Sequence, residues 1–189
     1  MQRPTRAQLN EGIVSTAARL FARQGYEATK LQQIAEEMGY SKAALLYHFK
    51  SKESLLVAAM EPPALAAEEL LEDLEGLSAG PERDITVITR LLDLALEHRE
   101  RLILFLSLAG SLGGAPEAER FAESADRVQA LLVPPGAPFE RRVQAAQMEG
   151  GMLAAVLKFT DVDIAELREP LLRGALRCMG LACAPESGA

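Results

Sequence analysis

Tryptophan is absent from this chain, and aromatic residues make up only 5% of its 189 positions. Runs of β-branched residues are scarce, while Ala and Leu abound, a composition that favours helices. Two cysteines, Cys178 and Cys183, and two histidines, His48 and His98, are too few for a disulfide framework or an all-Cys/His zinc site. The cysteines lie five positions apart, about 140° around a helix, so they cannot bridge there. No metal and no cofactor are expected, and a reduced cytoplasmic chain is the default. No run approaches the roughly 20 apolar residues that cross a bilayer, and the N-terminal segment lacks an apolar signal core, so no membrane partner is expected. Catalytic groups are thin as well. Glu68, Glu69, Glu72, Asp73 and Glu75 have no His or Cys neighbours and read as a solvated helix face. Gly110 to Gly114 has no strand before it and reads as a loop rather than a phosphate cradle. An enzyme is therefore not expected.

What the chain does have is an uneven charge. Its net charge is −7, yet residues 1–60 carry 8 Lys+Arg against 5 Asp+Glu, a net +3, and residues 61–189 carry 12 against 22, a net −10. A small basic head on an acidic body suggests that only the head meets an anionic polymer. With 49% apolar residues, the chain also buries a real core.

Periodicity predicts a first helix over Thr5–Gln24, with Leu9, Ile13, Ala17, Leu20 and Phe21 on one face and Gly25 ending it. Thr29 stands as an N-cap with Gln32 completing a capping box, and Leu31, Ile34, Ala35 and Met38 form the stripe of a short second helix that Gly39 stops. Ser41 caps a third helix whose Leu45 and Phe49 face inward, and Ser51 opens a fourth over Lys52–Met60. Pro62-Pro63 is expected to break that helix, with the pattern restarting at Leu65. This places the boundary between a head, residues 1–61, and a body, residues 62–189, of roughly five helices. No alternating strand pattern is present, and the fold class is all-α.

Short helix, glycine-containing turn, short helix is the helix-turn-helix pattern, whose second helix enters the DNA major groove. Leu46 and Tyr47 fall opposite Leu45 and Phe49, with no core to enter. Beside Lys42, His48, Lys50 and Lys52 they suit DNA, with thymine methyls for the apolar groups and phosphates for the cations and the phenol. The sequence over about Ile13 to Leu55 resembles the TetR family of bacterial transcriptional regulators. The resemblance is carried by Ile13, Ala17-Ala18, Leu20-Phe21, Gly25-Tyr26, Thr29, Ile34-Ala35, Gly39-Tyr40-Ser41, Tyr47-His48-Phe49, Ser51-Lys52-Glu53 and Leu55. Three positions depart from the family's pattern: Lys30 replaces a common small hydroxyl residue, Ala43 a common glycine and Leu46 a common tyrosine that often touches the DNA backbone.

The resemblance implies that Lys42, Ala43, Ala44, Leu46 and Tyr47 face bases, that Thr29, Lys30, His48 and Lys52 hold phosphates, and that Gln32 reaches a base edge. Other readings stand beside these: capping for Thr29, Ser41, Ser51 and Gln32, an internal hydrogen bond for His48, simple solvation for Lys50. The resemblance further implies double-stranded DNA as partner, a near-palindromic operator, a homodimer and a small-molecule effector bound in the body. The same fold used as a protein-binding adaptor is the alternative. The stretches Phe139–Phe159 and Ile164–Leu181 are rich in small and apolar residues, as a dimer of close-packed helices requires. Ile88, Leu92, Leu102, Phe105, Leu106, Phe121, Met148 and Met152 are candidates for lining an effector pocket, or equally for an ordinary core, with His98 and Arg99 as polar anchors. A mostly apolar effector is expected.

Overall fold

The computed structural model describes residues 5–108 and 116–181, apart from the side chains of 105–107, 116–118 and 121. Among the described residues there are helices and no strands: α1 Arg6–Gln24, α2 Leu31–Glu37, α3 Lys42–His48, α4 Lys52–Glu75, α5 Pro81–Glu97, α6 Arg99–Leu108, α7 Pro116–Leu132, α8 Phe139–Lys158 and α9 Ile164–Cys178. Two compact units result. One takes Met1–Leu65 with Glu100–Arg120, the other Ala66–Arg99 with Phe121–Ala189.

Local chemistry accounts for the ends of the helices. Thr5 and Gln8 form a reciprocal capping box at the start of α1, with each backbone N–H donating to the other's side-chain oxygen. Gly25, at φ 86°, lets the chain leave α1 through a conformation that side chains avoid. The cap of α2 sits one residue later than the sequence pattern predicts. Lys30 is the N-cap residue, and its N–H donates to Oε1 of Gln33 at 2.7 Å. Thr29 lies outside the cap, its buried hydroxyl turned backward to share its proton between the carbonyls of Gly25 (2.8 Å) and Leu20 (3.3 Å). Ser41 caps α3 as expected, with its Oγ accepting from the N–H of Ala44.

The two prolines do not break the fourth helix. α4 runs unbroken from Lys52 to Glu75 with Pro62 and Pro63 inside it. Each proline lacks the N–H that would reach the carbonyl four residues back, so Ala58 and Ala59 lose their ladder donors. Burial on the same stretch offsets the loss: Ala59, Met60, Pro63 and Ala64 are all buried. Pro62→Ala should therefore stabilise the protein by about 2 kcal/mol, the restored ladder bond and relieved ring clash outweighing the freer unfolded chain. Scanning calorimetry should show a melting temperature higher by roughly 4–8 °C. Pro170 likewise lies inside α9, which starts at Ile164, where Oδ1 of Asp163 accepts from the N–H of Ala165.

The first unit is built on Phe21, Ile34, Leu45 and Leu55, all almost fully buried, with α1, α2 and α3 packed together. At the start of α6, Arg101 pairs with Glu11 of α1 at 3.0 Å. In the second unit Leu71, Leu74, Val87, Ile88, Leu132, Met148 and Leu176 belong to one continuous core. Two arginines close its loops. Arg99 donates to the carbonyls of Phe159, Thr160 and Val162 beyond α8. Arg141 donates to the carbonyl of Leu132 and pairs with Asp84. No helix among the described residues is long and apolar enough to cross a membrane.

Candidate nucleic-acid interface

α3 is only seven residues long, and its single deeply buried member is Leu45, at 2% exposure. One residue on, the helix turns outward: Leu46 is 37% exposed and Tyr47 75%. Lys42 and Ala43 are exposed and Ala44 is partly so, which places five of the sequence-predicted base-facing residues on one short element. Tyr40, in the turn before α3, is exposed as well. The Tyr47 ring is held from two sides, by an edge-on contact with His48 at 5.4 Å between centroids and by the guanidinium of Arg6 at 5.9 Å. A large aromatic ring in solvent, pre-set beside a guanidinium, is poised for a partner outside the chain.

The phosphate-binding set is reordered by the structure. Lys30 is exposed at the head of α2 and fits the expectation. Thr29 does not: it is 1% exposed, and its hydroxyl is committed to two backbone carbonyls. Lys52 does not either. Its ammonium donates to the carbonyls of Tyr26 (2.7 Å), Glu27 (3.3 Å) and Thr29 (3.2 Å), and it lies 4.1 Å from the centre of the Tyr26 ring. Three donors on three acceptors leave none for a phosphate. Both residues hold together the turn that delivers Lys30.

His48 makes the internal hydrogen bond. Its Nδ1 lies 2.7 Å from Oδ1 of Asn10 on α1, an internal bond that orients the ring while the residue stays half-buried beside Tyr47. Asn10 had no signal in the sequence, because it lies 38 positions from its partner. Gln32 is exposed and donates to Glu36 one turn on at 2.7 Å, a contact that a base edge would have to displace.

Ile88, Leu92 and Met148 are almost fully buried core, and Met152 packs against that core. His98 is the C-cap residue of α5, while Arg99 donates to three carbonyls. Leu102 belongs to the first unit rather than the second. The side chains of Phe105, Leu106 and Phe121, and the whole of Cys183 and Gly110–Gly114, lie outside the described residues. Cys178 is a free thiol.

A helix-turn-helix with an outward aromatic on its second helix, in a chain of helices alone among its described residues, defines an all-α protein of the helix-turn-helix class. Residues 13–59 match the model of a family described as bacterial regulatory proteins, tetR family. The chain is similar to an uncharacterized HTH-type transcriptional regulator, YerO, of Bacillus subtilis, at 55% identity over 51 residues, covering 27% of this chain and 18% of that protein. It is also similar to the HTH-type transcriptional repressor AcnR of Corynebacterium diphtheriae, at 38% identity over 85 residues, covering 42% of this chain and 45% of that one. Among solved structures, a TetR-family transcriptional regulator from Bordetella parapertussis superposes with a TM-score of 0.70 at 22% identity, covering 93% of this chain and 98% of that one. The chain spans about half or less of the length of these curated relatives. The match to the TetR family lies within the helix-turn-helix head, residues 13–59.

Proposed function

We propose that the protein is a sequence-specific DNA-binding transcriptional regulator, a ligand-responsive repressor that acts as a homodimer on a near-palindromic operator in the cytoplasm. Residues 1–61 are the DNA-binding head and residues 62–189 the effector-binding and dimerisation body. The observation that carries the reading is the outward pair Leu46 and Tyr47 on α3, next to exposed Lys42 and Lys30 in a head of net positive charge. A major groove offers thymine methyls and base edges to the first pair and phosphates to the second. AcnR, 38% identical over 85 residues, is named a repressor, which supports that sense of regulation.

Dimerisation rests on the outer faces of α8 and α9. Phe139, Val143 and Leu157 are exposed, and a Cβ added at Gly150, Gly151 or Gly174 would meet nothing within 4 Å in the chain. Packing inside the chain therefore gives no reason for these glycines, each of which costs an exposed helix interior about 1 kcal/mol relative to alanine. Close approach of a second copy gives one.

Selection of bound sequences from a random duplex pool by the purified protein tests the reading. Enriched two-fold-symmetric sites support it, and an unenriched pool with salt-insensitive binding points to the protein-binding adaptor instead. On the selected site, Tyr47→Ala should weaken binding roughly 10- to 100-fold and relax preference at one or two positions. Lys30→Ala should weaken specific and random DNA alike and reduce the salt slope by about 1. Fluorescence anisotropy across a salt series checks both.

A further inference from the structure

His48, the last residue of α3, has one ring nitrogen already committed. Its Nδ1 lies 2.7 Å from Oδ1 of Asn10 on α1. An amide oxygen accepts and cannot donate, so Nδ1 carries a proton, and in the neutral ring the other nitrogen, Nε2, is a bare acceptor. A phosphate oxygen is an acceptor too, and the two repel. For His48 to hold a phosphate, as the sequence leads one to expect, the ring must therefore take a second proton. The residue lines one small cavity with Leu9 and Ile13 of α1, Ala35 and Met38 of α2 and Tyr40 of the turn. Tyr47 meets the ring edge-on, with the guanidinium of Arg6 over the Tyr47 ring, and exposed Lys50 follows two residues on. Glu11, next to Asn10 on α1, is paired with Arg101 and accepts from Ser15. Cations flank the ring and the carboxylate beside its partner is engaged elsewhere, so the charge of a second proton is compensated by a DNA phosphate rather than by the chain.

We propose that Asn10 is a positioning residue for DNA recognition: by fixing the Nδ1–H form of His48, it makes the phosphate contact of each head depend on the uptake of one proton at Nε2. The proposal rests on the DNA-binding reading above and adds a proton to it. Below the range in which an imidazole titrates, both heads make the contact. As the pH rises through that range, proton and contact are lost together, and affinity for DNA falls. A recognition helix addresses base edges with its N-terminal part, and His48 sits at the opposite end, which makes a phosphate its partner rather than a base amino group.

Fluorescence anisotropy of the full chain on its selected duplex, across a salt series at about pH 6 and about pH 8, tests this. The parent should bind roughly 10-fold more tightly at the lower pH, with a salt slope steeper by about 0.9 for each head, because each head neutralises one more phosphate. His48→Gln should remove both differences. Asn10→Ala frees the neutral ring to take the Nε2–H form, which donates to a phosphate without a second proton, so the gap in affinity should narrow to less than about 3-fold. Asn10→Asp should move the rise in affinity to higher pH, since a carboxylate compensates the doubly protonated ring. A merely structural Asn10 would weaken binding equally at both pH values in either variant, and circular dichroism confirms that each variant is folded. On the parent alone, nitrogen-15 spectra of the histidine rings at the higher pH should show His48 protonated at Nδ1, with His48→Gln assigning the signal. An Nε2–H ring in the parent, equal affinity and slope at the two pH values, a His48→Gln variant that keeps the gap, or Asn10 variants whose pH profiles do not move overturns the proposal. A protein that binds its site indifferently to pH remains a regulator and loses the proton, whereas one that enriches no DNA loses both.

Discussion

Lys52→Met should lower the melting temperature by about 4–10 °C without changing the number of phosphates the head neutralises. The ammonium donates to three carbonyls just beyond α1 and stacks on the Tyr26 ring, so a methionine of similar length removes the donor from three acceptors, two of them partly buried. Hydrogen bonds from a charged donor contribute about 1.5–3 kcal/mol each at most, and water reaches some of these carbonyls, so a total loss of roughly 2–3 kcal/mol is expected. Lys52→Arg should not rescue it, because a planar fork cannot aim at three acceptors that surround a point charge. The discriminating measurement pairs a thermal melt with the salt dependence of DNA binding below the melt. A fall in stability with an unchanged slope identifies Lys52 as a clamp. An unchanged melt with a slope reduced by about 0.9 would return it to the phosphate contacts.

The larger functional loss should follow from Gly150→Arg. Gly150 is exposed on α8 with open space around the position of a Cβ, so the substitution fits the isolated chain and improves its helix propensity. Across a two-fold interface the same arginine meets the partner twice, placing two like charges where helices pack closely. Sedimentation velocity should show a monomer that remains folded by circular dichroism, and affinity for the palindromic site should fall by at least about 100-fold, since each head alone reads a few base pairs. A variant that stays dimeric would show that α8 and α9 are not the contact.

How much of this the sequence showed depends on the range of each interaction. The extents of α1, α2 and α3, the Ser41 cap and the outward Leu46–Tyr47 pair are local matters of periodicity and capping, and the structure has them where the pattern placed them. The cap of α2 shifted by one residue because Gln32 and Gln33 are adjacent, and either completes a box; only the buried hydroxyl of Thr29 decides between them. The roles of Lys52 and His48 were hidden for another reason. Lys52 meets carbonyls 23 to 26 positions away and His48 an amide 38 positions away. No spacing rule reaches across such separations. The uninterrupted α4 failed to show because a rule about proline weighs one backbone bond, whereas the helix is decided by the whole of its buried face.

The placement of the tyrosines has a practical consequence. Tyr26, Tyr40 and Tyr47 are the chain's three, all lie within its first sixty residues, and no tryptophan outshines them. Tyr26 is half-buried against Phe21, whereas Tyr40 and Tyr47 are exposed at the turn and on α3. Intrinsic emission near 300 nm is therefore a reporter of the head alone, with the body dark and no label required. Far-ultraviolet circular dichroism, by contrast, sees every helix. Following one urea titration by both signals reads the head's unfolding separately from that of the whole chain, and coincident curves mean that the protein melts as a single cooperative piece.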